Sequence, residues 1–296
     1  MPLYENTLAE LVERVVRMGI GTWKAGTCTG GTTATFIDTI RRNEKDDFFN
    51  STIPVSRVRI VTSTDGLAPQ GEEREITDWV QSTATGTVGV AFSAAPASGD
   101  KYAILSDVYW DEVVNAINDA IDLVAGECFI DAIDETMTFQ SDVYEYPVPS
   151  GFIYLYRITQ ENSDGQFLYP LKHDEWTVRR GMNPPRIKLY LTDTSRAAEG
   201  HYLGDLFADD SLEAGYHVRL EGLKRQARLV ADSDICYLNP VFIAHQAAAW
   251  LHAKYIRRNE NDPDMHGSQY QIQQAIADGI RKDMRTQLPP DSKRVM

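Results

Sequence analysis

Cysteine is scarce in this chain of 296 residues: Cys28, Cys128 and Cys236 are its three thiols, and no two of them form a CxxC pair. An odd number at such wide spacing excludes a disulfide framework and a zinc ribbon, and reads as reduced, buried thiols. Long apolar runs are missing too. No stretch approaches the roughly 20 apolar residues that a membrane span requires, and the first residues enter an amphipathic helix without a basic and then apolar leader. The expected setting is soluble and cytoplasmic, with no membrane partner. Positive charge is the minority: 29 Lys and Arg stand against 43 Asp and Glu, for a formal net charge of −14. Such a surface repels nucleic acid and anionic lipid, which excludes sequence-specific DNA binding but suits a wall past which DNA must slide.

Motifs of catalysis and metal binding are missing as well. His245 and His252 are seven positions apart without the HExxH pair that places two ligands on one helix face. There is no G-x-S-x-G elbow, no GxxxxGK[ST] loop and no GxGxxG turn. The glycine-rich run at 26–31 lacks the lysine and the helix of a phosphate cradle. His173-Asp174-Glu175 is polar, but neighbours along a strand point to opposite faces, so a turn or surface role is expected. A glycosidase pair of carboxylates obeys no spacing rule and leaves no trace in a sequence. The expectation is therefore no catalytic residue, no cofactor and no metal.

What is present is an alternation of patterns. Residues 6–18 carry Leu8, Leu11, Val12, Val15 and Val16 at helical spacing, with Thr7 and Glu10 as a capping box and Gly19 and Gly21 as a stop. Helical spacing returns at 107–125 with Trp110, Val113, Val114, Ile117, Ala120, Ile121 and Val124, capped by Asp107 or Ser106. The other face of that helix is acidic: Asp111, Glu112, Asn115, Asn118, Asp119 and Asp122 form either a solvated surface or the lining of a channel. Asn239-Pro240 opens a third helix, to about 258, whose Ala244, Ala247, Ala248 and Leu251 allow close approach of a neighbour. A fourth, at 268–286, carries Ile272, Ile276, Ile280 and Met284 before Pro289-Pro290 ends it, and the tail at 291–296 is expected to be mobile when unbound.

Between these helices the pattern is β. Segments 32–37, 55–62, 74–80, 86–92 and 101–105 are short, rich in branched residues and cut by turn signals, as in a small barrel or sandwich. From 135 to 229 a larger strand-rich block alternates Phe152, Tyr154, Tyr156 and Ile158, then Ile187, Leu189 and Leu191, with a long loop over 194–210. Its aromatics, Tyr144, Tyr146, Phe152, Tyr154, Tyr156, Tyr169 and Trp176, suit the inner face of a sandwich better than a sugar-stacking platform. The basic group Lys224, Arg225 and Arg228 reads as a solvated strand end, or as a contact for phosphate or an acidic partner.

Two stretches carry a resemblance. Gly26-Thr27-Cys28-Thr29-Gly30-Gly31-Thr32-Thr33, Asp46-Asp47-Phe48-Phe49, Ile76-Thr77-Asp78-Trp79, Thr85-Gly86-Thr87-Val88 and Ala94-Ala95-Pro96-Ala97-Ser98-Gly99-Asp100 together resemble a small β domain common in tailed-phage structural proteins. Asp232-Ser233-Asp234 leading into Asn239-Pro240 and the Ala-rich helix ending near Tyr255 is similar to the C-terminal half of phage head-to-tail adaptor (connector) proteins. The resemblance implies an α+β protein: a four-helix core from 1–21, 106–134 and 236–296, a small β module inserted at 22–105, and a larger sandwich-like module at 135–235. It implies a virion protein of the neck, made in the host cytoplasm, that forms a homo-oligomeric ring, usually a dodecamer, between portal and tail proteins. DNA would pass through the ring without sequence-specific contact. On this reading Leu288, Pro289, Pro290, Lys293 and Arg294 dock on the portal, and Asp111, Glu112, Asp119 and Asp122 line the channel. A tail or baseplate component is the alternative within the virion, and a carbohydrate-binding accessory protein the alternative outside that class.

Overall fold

The computed structural model describes residues 4–50, 55–67, 69–140, 143–167, 170–189, 215–256 and 263–295. Tyr169, Leu191, the 194–210 loop and position 296 of the tail, all named above, lie outside them. In chain order the elements are β1 (Asn6–Thr7), α1 (Leu8–Val15), β2 (Thr22–Thr27), β3 (Gly30–Thr32), β4 (Thr35–Ile37), β5 (Ser56–Thr62), β6 (Glu73–Val80), β7 (Thr85–Val88), β8 (Lys101–Ser106) and α2 (Trp110–Val124). Then follow β9 (Ile130–Thr138), β10 (Glu145–Pro147), β11 (Phe152–Gln160), β12 (Trp176–Arg179), β13 (Arg186–Leu189), β14 (His217–Lys224), β15 (Ile235–Cys236), α3 (Pro240–Ile256), α4 (Pro263–Arg281) and β16 (Lys293–Arg294). They fall into two units, Met1–Val124 with Ala227–Met284, and Ala125–Gln226 with Arg285–Met296.

This overturns the expected four-helix core with inserted modules. The described residues form sixteen strands in four sheets, and the four helices are short, at 8, 15, 17 and 19 residues. The physical reason is that the strands close apolar cores of their own. In the first unit Phe36, Phe49, Val58, Ile60, Ile76, Trp79, Val88, Tyr102 and Ile104 bury together on the inner face of a seven-stranded sheet of order β2-β8-β5-β6-β7-β4-β3. Its outermost strands, β2 and β3, are consecutive in the chain and joined only through Cys28 and Thr29, so the sheet curls back on itself. β6 serves both halves: Glu73 to Glu75 pair with β5, and after a bulge Asp78 to Val80 pair with β7.

The helices of this unit gather around α3, which packs against α1, α2 and α4. α1 opens on the expected capping box, with Thr7 and Glu10 each bonding the other's backbone N–H. It ends in a wide turn, Val16–Ile20, where Gly19 takes φ +91°. Gly21 stops nothing. It is extended, and it is glycine because a Cβ there would lie 2.4 Å from the Ser106 carbonyl of β8. Asn239 caps α3 through its Oδ1, which accepts from the N–H of Val241 (2.9 Å) and Phe242 (3.3 Å). Ser106, one of the two expected caps of α2, instead pairs its hydroxyl with that of Ser56 (2.8 Å).

The second unit is a sandwich. A four-stranded antiparallel sheet, β16-β11-β14-β9, and a three-stranded one, β10-β13-β12, share a core that includes Tyr146, Phe152, Leu155, Ile158, Trp176, Ile187, Leu189, Leu220 and Val295. The expected alternation along β11 fails because bulges between Phe152 and Tyr154 and between Leu155 and Arg157 shift the register. Phe152, Leu155 and Ile158 therefore face this core, while Tyr154 and Tyr156 turn to a separate cluster of Phe129, Ile153 and Leu223.

Candidate functional site

The tail and the acidic helix face can each be placed. Leu288 and Pro290 are exposed, and Ser292 folds back to donate through its hydroxyl to the Pro289 carbonyl (2.6 Å). The tail then becomes an edge strand of the second unit, Lys293 opposite Leu155 and Arg294 opposite Tyr154. Val295 donates its N–H to Ile153 O (2.7 Å) and buries its side chain in the sandwich core. The Lys293 ammonium sits 3.9 Å from the Trp176 ring centroid and donates to the carbonyls of His173 and Trp176. Burial pushes it down to about 8, against the pull of Asp174 and Asp291. The tail is thus a built strand instead of the mobile segment expected, because one apolar residue, Val295, supplies the anchor that a Lys-Arg pair does not advertise.

On α2, Asp111 is exposed. Glu112 is half-buried and accepts from Lys254 Nζ and Tyr255 Oη of α3, both at 2.8 Å. Asp119 and Asp122 share Arg228, at 3.4 and 3.6 Å, so one member of the basic group meets the acidic face in the same unit. At this exposure such pairs contribute little to stability. Asn118 leaves the acidic face altogether. It is buried, donating to Leu229 O (2.9 Å) and accepting from Leu229 N–H (2.7 Å).

Most of the aromatic group points inward. Tyr146, Phe152 and Trp176 are core residues, Tyr154 meets Phe129 edge-on at 5.5 Å, and Tyr144 is exposed. His173 and Asp174 lie in a turn closed by Glu175 N–H to Lys172 O. A cleft of about 420 Å³ in the first unit is lined by Arg57, Glu73, Arg74, Glu75, Thr77, Gly89 and Val90. Its cations are engaged by the fold itself: Arg74 donates to Ala91 O, Glu73 O and Glu72, and Arg57 lies 3.9 Å from the Tyr109 ring centroid. Cys28 and Cys236 are buried free thiols, pushed up to about 12 and about 11 by that burial. Among the described residues no group of three or more His, Cys, Asp and Glu gathers as a metal site, and no helix is long and apolar enough to cross a membrane.

The feature that sequence reasoning missed is the inverted polarity of α4. Its inward side is polar: His266 and Gln273 are buried beside Ala277, and the seam with α3 is a ladder of side-chain hydrogen bonds. His245 bonds Gln273, Gln246 and Gln274 exchange amide bonds (3.0 and 3.4 Å), and His252 Nδ1 meets His266 Nδ1 at 2.9 Å. Of the apolar positions read from the sequence, Met284 is buried, whereas Ile272 and Ile276 are exposed. The helical period was visible in the sequence; which neighbour each face meets was not.

The histidine pair fixes its own protons. The Met18 carbonyl 3.3 Å away can only accept, so His252 carries its hydrogen on Nε2, and its Nδ1 must accept from His266 Nδ1–H. Burial, opposed by the Met18 bond and reinforced by His266, pushes His252 below its ordinary value of 6.5. At this residue the folded state therefore binds fewer protons than the unfolded one as pH falls to 6.5 and below, so its contribution to stability is level above that value and declines beneath it. Urea midpoints across about pH 7.5 to 5.5 should fall with acidity in the wild type, and His252→Gln should flatten that slope.

No protein-family model matches the chain, and no curated protein matches it.

Proposed function

We propose that this chain is a structural virion protein, a head-to-tail adaptor that forms a ring joining a portal to a tail and leaves a passage for DNA. The observation that carries the reading is the role of the segment on which the resemblance rests. Asp232 binds Arg59 through two hydrogen bonds, of 2.9 and 3.0 Å, and its carbonyl accepts from Ala9 N–H. Asp234 accepts from the N–H groups of Val230 and Ala231 and offers its carbonyl to Leu8 N–H. Asn239 caps α3, whose Ala244, Ala247, Ala248 and Ala249 are fully buried where the other helices meet it. That segment organises its unit, and small residues at such seams permit close, rigid packing.

Neighbours in a ring meet through two different surfaces of each subunit, and two units with separate cores offer such surfaces. On this reading the exposed carboxylates Asp111, Asp119 and Asp122 face the passage, where negative charge keeps DNA from adhering. Exposed Leu288 and Pro290, just ahead of the anchored strand β16, remain the residues offered to a portal.

An antibody to this chain, carried on gold and applied to purified particles, tests the proposal by electron microscopy. Gold at the neck is expected. Gold at the tail tip or fibres would favour a baseplate component, and particles without label would remove the chain from the virion. Within labelled particles, lysine at Asp111, Asp119 and Asp122 should slow DNA ejection; normal ejection would return that face to plain solvent.

A further inference from the structure

We infer that the cleft beside β5 and β6 binds a free basic amino acid, which sets its carboxylate on Arg57 and its α-ammonium on Glu73. The cleft holds about 420 Å³, a volume within the range of small-molecule sites, and all of its lining belongs to the first unit. Arg57 stands opposite Glu75 in the register of β5 with β6. Glu73 and Glu75, two residues apart on β6, present their side chains to the same face of the sheet. Gly89 keeps the floor open: its N–H donates to the Glu75 carbonyl (3.0 Å), and a Cβ there would lie 3.0 Å from Thr77 Cγ2.

Three charged groups in this cleft have bonding capacity that the fold does not use. Oε1 of Glu73 is buried and has no hydrogen-bond partner among the described residues. Arg59, its neighbour across the strand pair, is committed to Asp232. Buried carboxylate oxygens in native proteins are nearly always hydrogen-bonded, so this one calls for a donor from outside the chain. Burial pushes the Glu73 carboxyl up, and a cation brought against it would hold it ionised. Stacking on Tyr109 takes only the face of the Arg57 guanidinium; its N–H edge makes no hydrogen bond or ion pair among the described residues. Glu75, exposed at the rim, likewise engages no cation among them.

Charge selects the occupant. Arg74 is neutralised by Glu72 at 2.6 Å, which leaves one cation, Arg57, and two anions, Glu73 and Glu75. The complement is a ligand with one anion and two cations, and a basic amino acid is the smallest common molecule that carries them. Its carboxylate meets the Arg57 fork, its α-ammonium gives Glu73 Oε1 the missing donor, and its side-chain cation reaches Glu75. A sugar would bring hydroxyls but no charge to any of the three. An inorganic anion would suit Arg57 and be repelled by both carboxylates. The site lies within one unit, and it stands whether or not the chain is an adaptor.

The test is calorimetric titration of the purified full-length protein at low salt with four probes. These are L-lysine, cadaverine (lysine without its carboxylate), ε-aminocaproate (lysine without its α-amino group) and methyl glucoside. L-lysine should bind at millimolar concentration or below, and methyl glucoside should not. Arg57→Gln should weaken L-lysine at least about tenfold and not weaken cadaverine, because only the carboxylate has lost its partner. Glu73→Gln should weaken L-lysine by a similar factor and leave ε-aminocaproate as it was. Melting temperatures show that each variant is folded, and Glu75→Gln, at the exposed rim, repeats the test with L-lysine if either disturbs folding. No binding of L-lysine, binding of methyl glucoside in its place, or equal weakening of every probe by both variants would each overturn the inference.

Discussion

Replacing Arg59 by alanine should lower the stability of the first unit by about 3–5 kcal/mol, the loss typical when one member of a buried ion pair is removed. Arg59 and Asp232 are 173 residues apart, and their side chains are only 13% and 4% exposed. The guanidinium also lies 4.5 Å from the Trp110 ring centroid, so it joins β5, the first turn of α2 and the segment before β15. Without it Asp232 is left as a buried carboxylate short of its cation, while its carbonyl still has to position Ala9. Attraction between the charges is not the main loss; the stranded partner is. Arg59→Met combined with Asp232→Leu should therefore be less harmful than Arg59→Ala alone. Urea unfolding of both variants checks this, and an alanine variant within about 1 kcal/mol of wild type would show that water reaches Asp232 and screens it.

The second large effect is expected at Asn118. Its side chain gives Leu229 both a donor and an acceptor inside the protein, so alanine leaves a backbone N–H and a carbonyl without partners, at about 1–3 kcal/mol for each stranded group. A loss of about 2–4 kcal/mol is expected, measured as a shift in the urea midpoint at unchanged slope. Asp119→Ala, one position along and exposed, is the control. It should stay within about 0.5 kcal/mol, because its pair with Arg228 is solvent-exposed. Equal effects at the two positions would mean that Asn118 is not the pillar its geometry makes it.

These two residues also show where sequence reasoning stops. The amphipathic period of α2 is plain, and the capping signals at Thr7, Glu10, Asn239 and Pro240 are local, so each could be read from its neighbours alone. Asn118 was assigned to the acidic face because a helical wheel knows its own helix but not that the Leu229 backbone would come to lie beside it. β11 makes the same point: two bulges reassign Tyr154 and Tyr156 to the face opposite Phe152, and nothing in the alternation announces a bulge. The strand in the tail is not legible in the sequence, because two charged residues carry no strand signal and the partner strand β11 precedes them by well over a hundred positions. Helices declare themselves within a dozen residues, whereas curled sheets are assembled from distant pairs, so the helices looked like the core of a protein whose mass lies in its strands.

The position of β16 has a consequence for how the protein is made. The helices of the first unit need β15, α3 and α4, which come after strands β9 to β14 of the sandwich, and the sandwich in turn needs Val295 to fill its core. During translation, therefore, the seven-stranded sheet has all its strands once Ser106 has emerged, whereas α1 and α2 wait for α3 and the sandwich waits for β16. The sandwich thus closes later than the curled sheet, although most of its strands precede α3 and α4 in the chain.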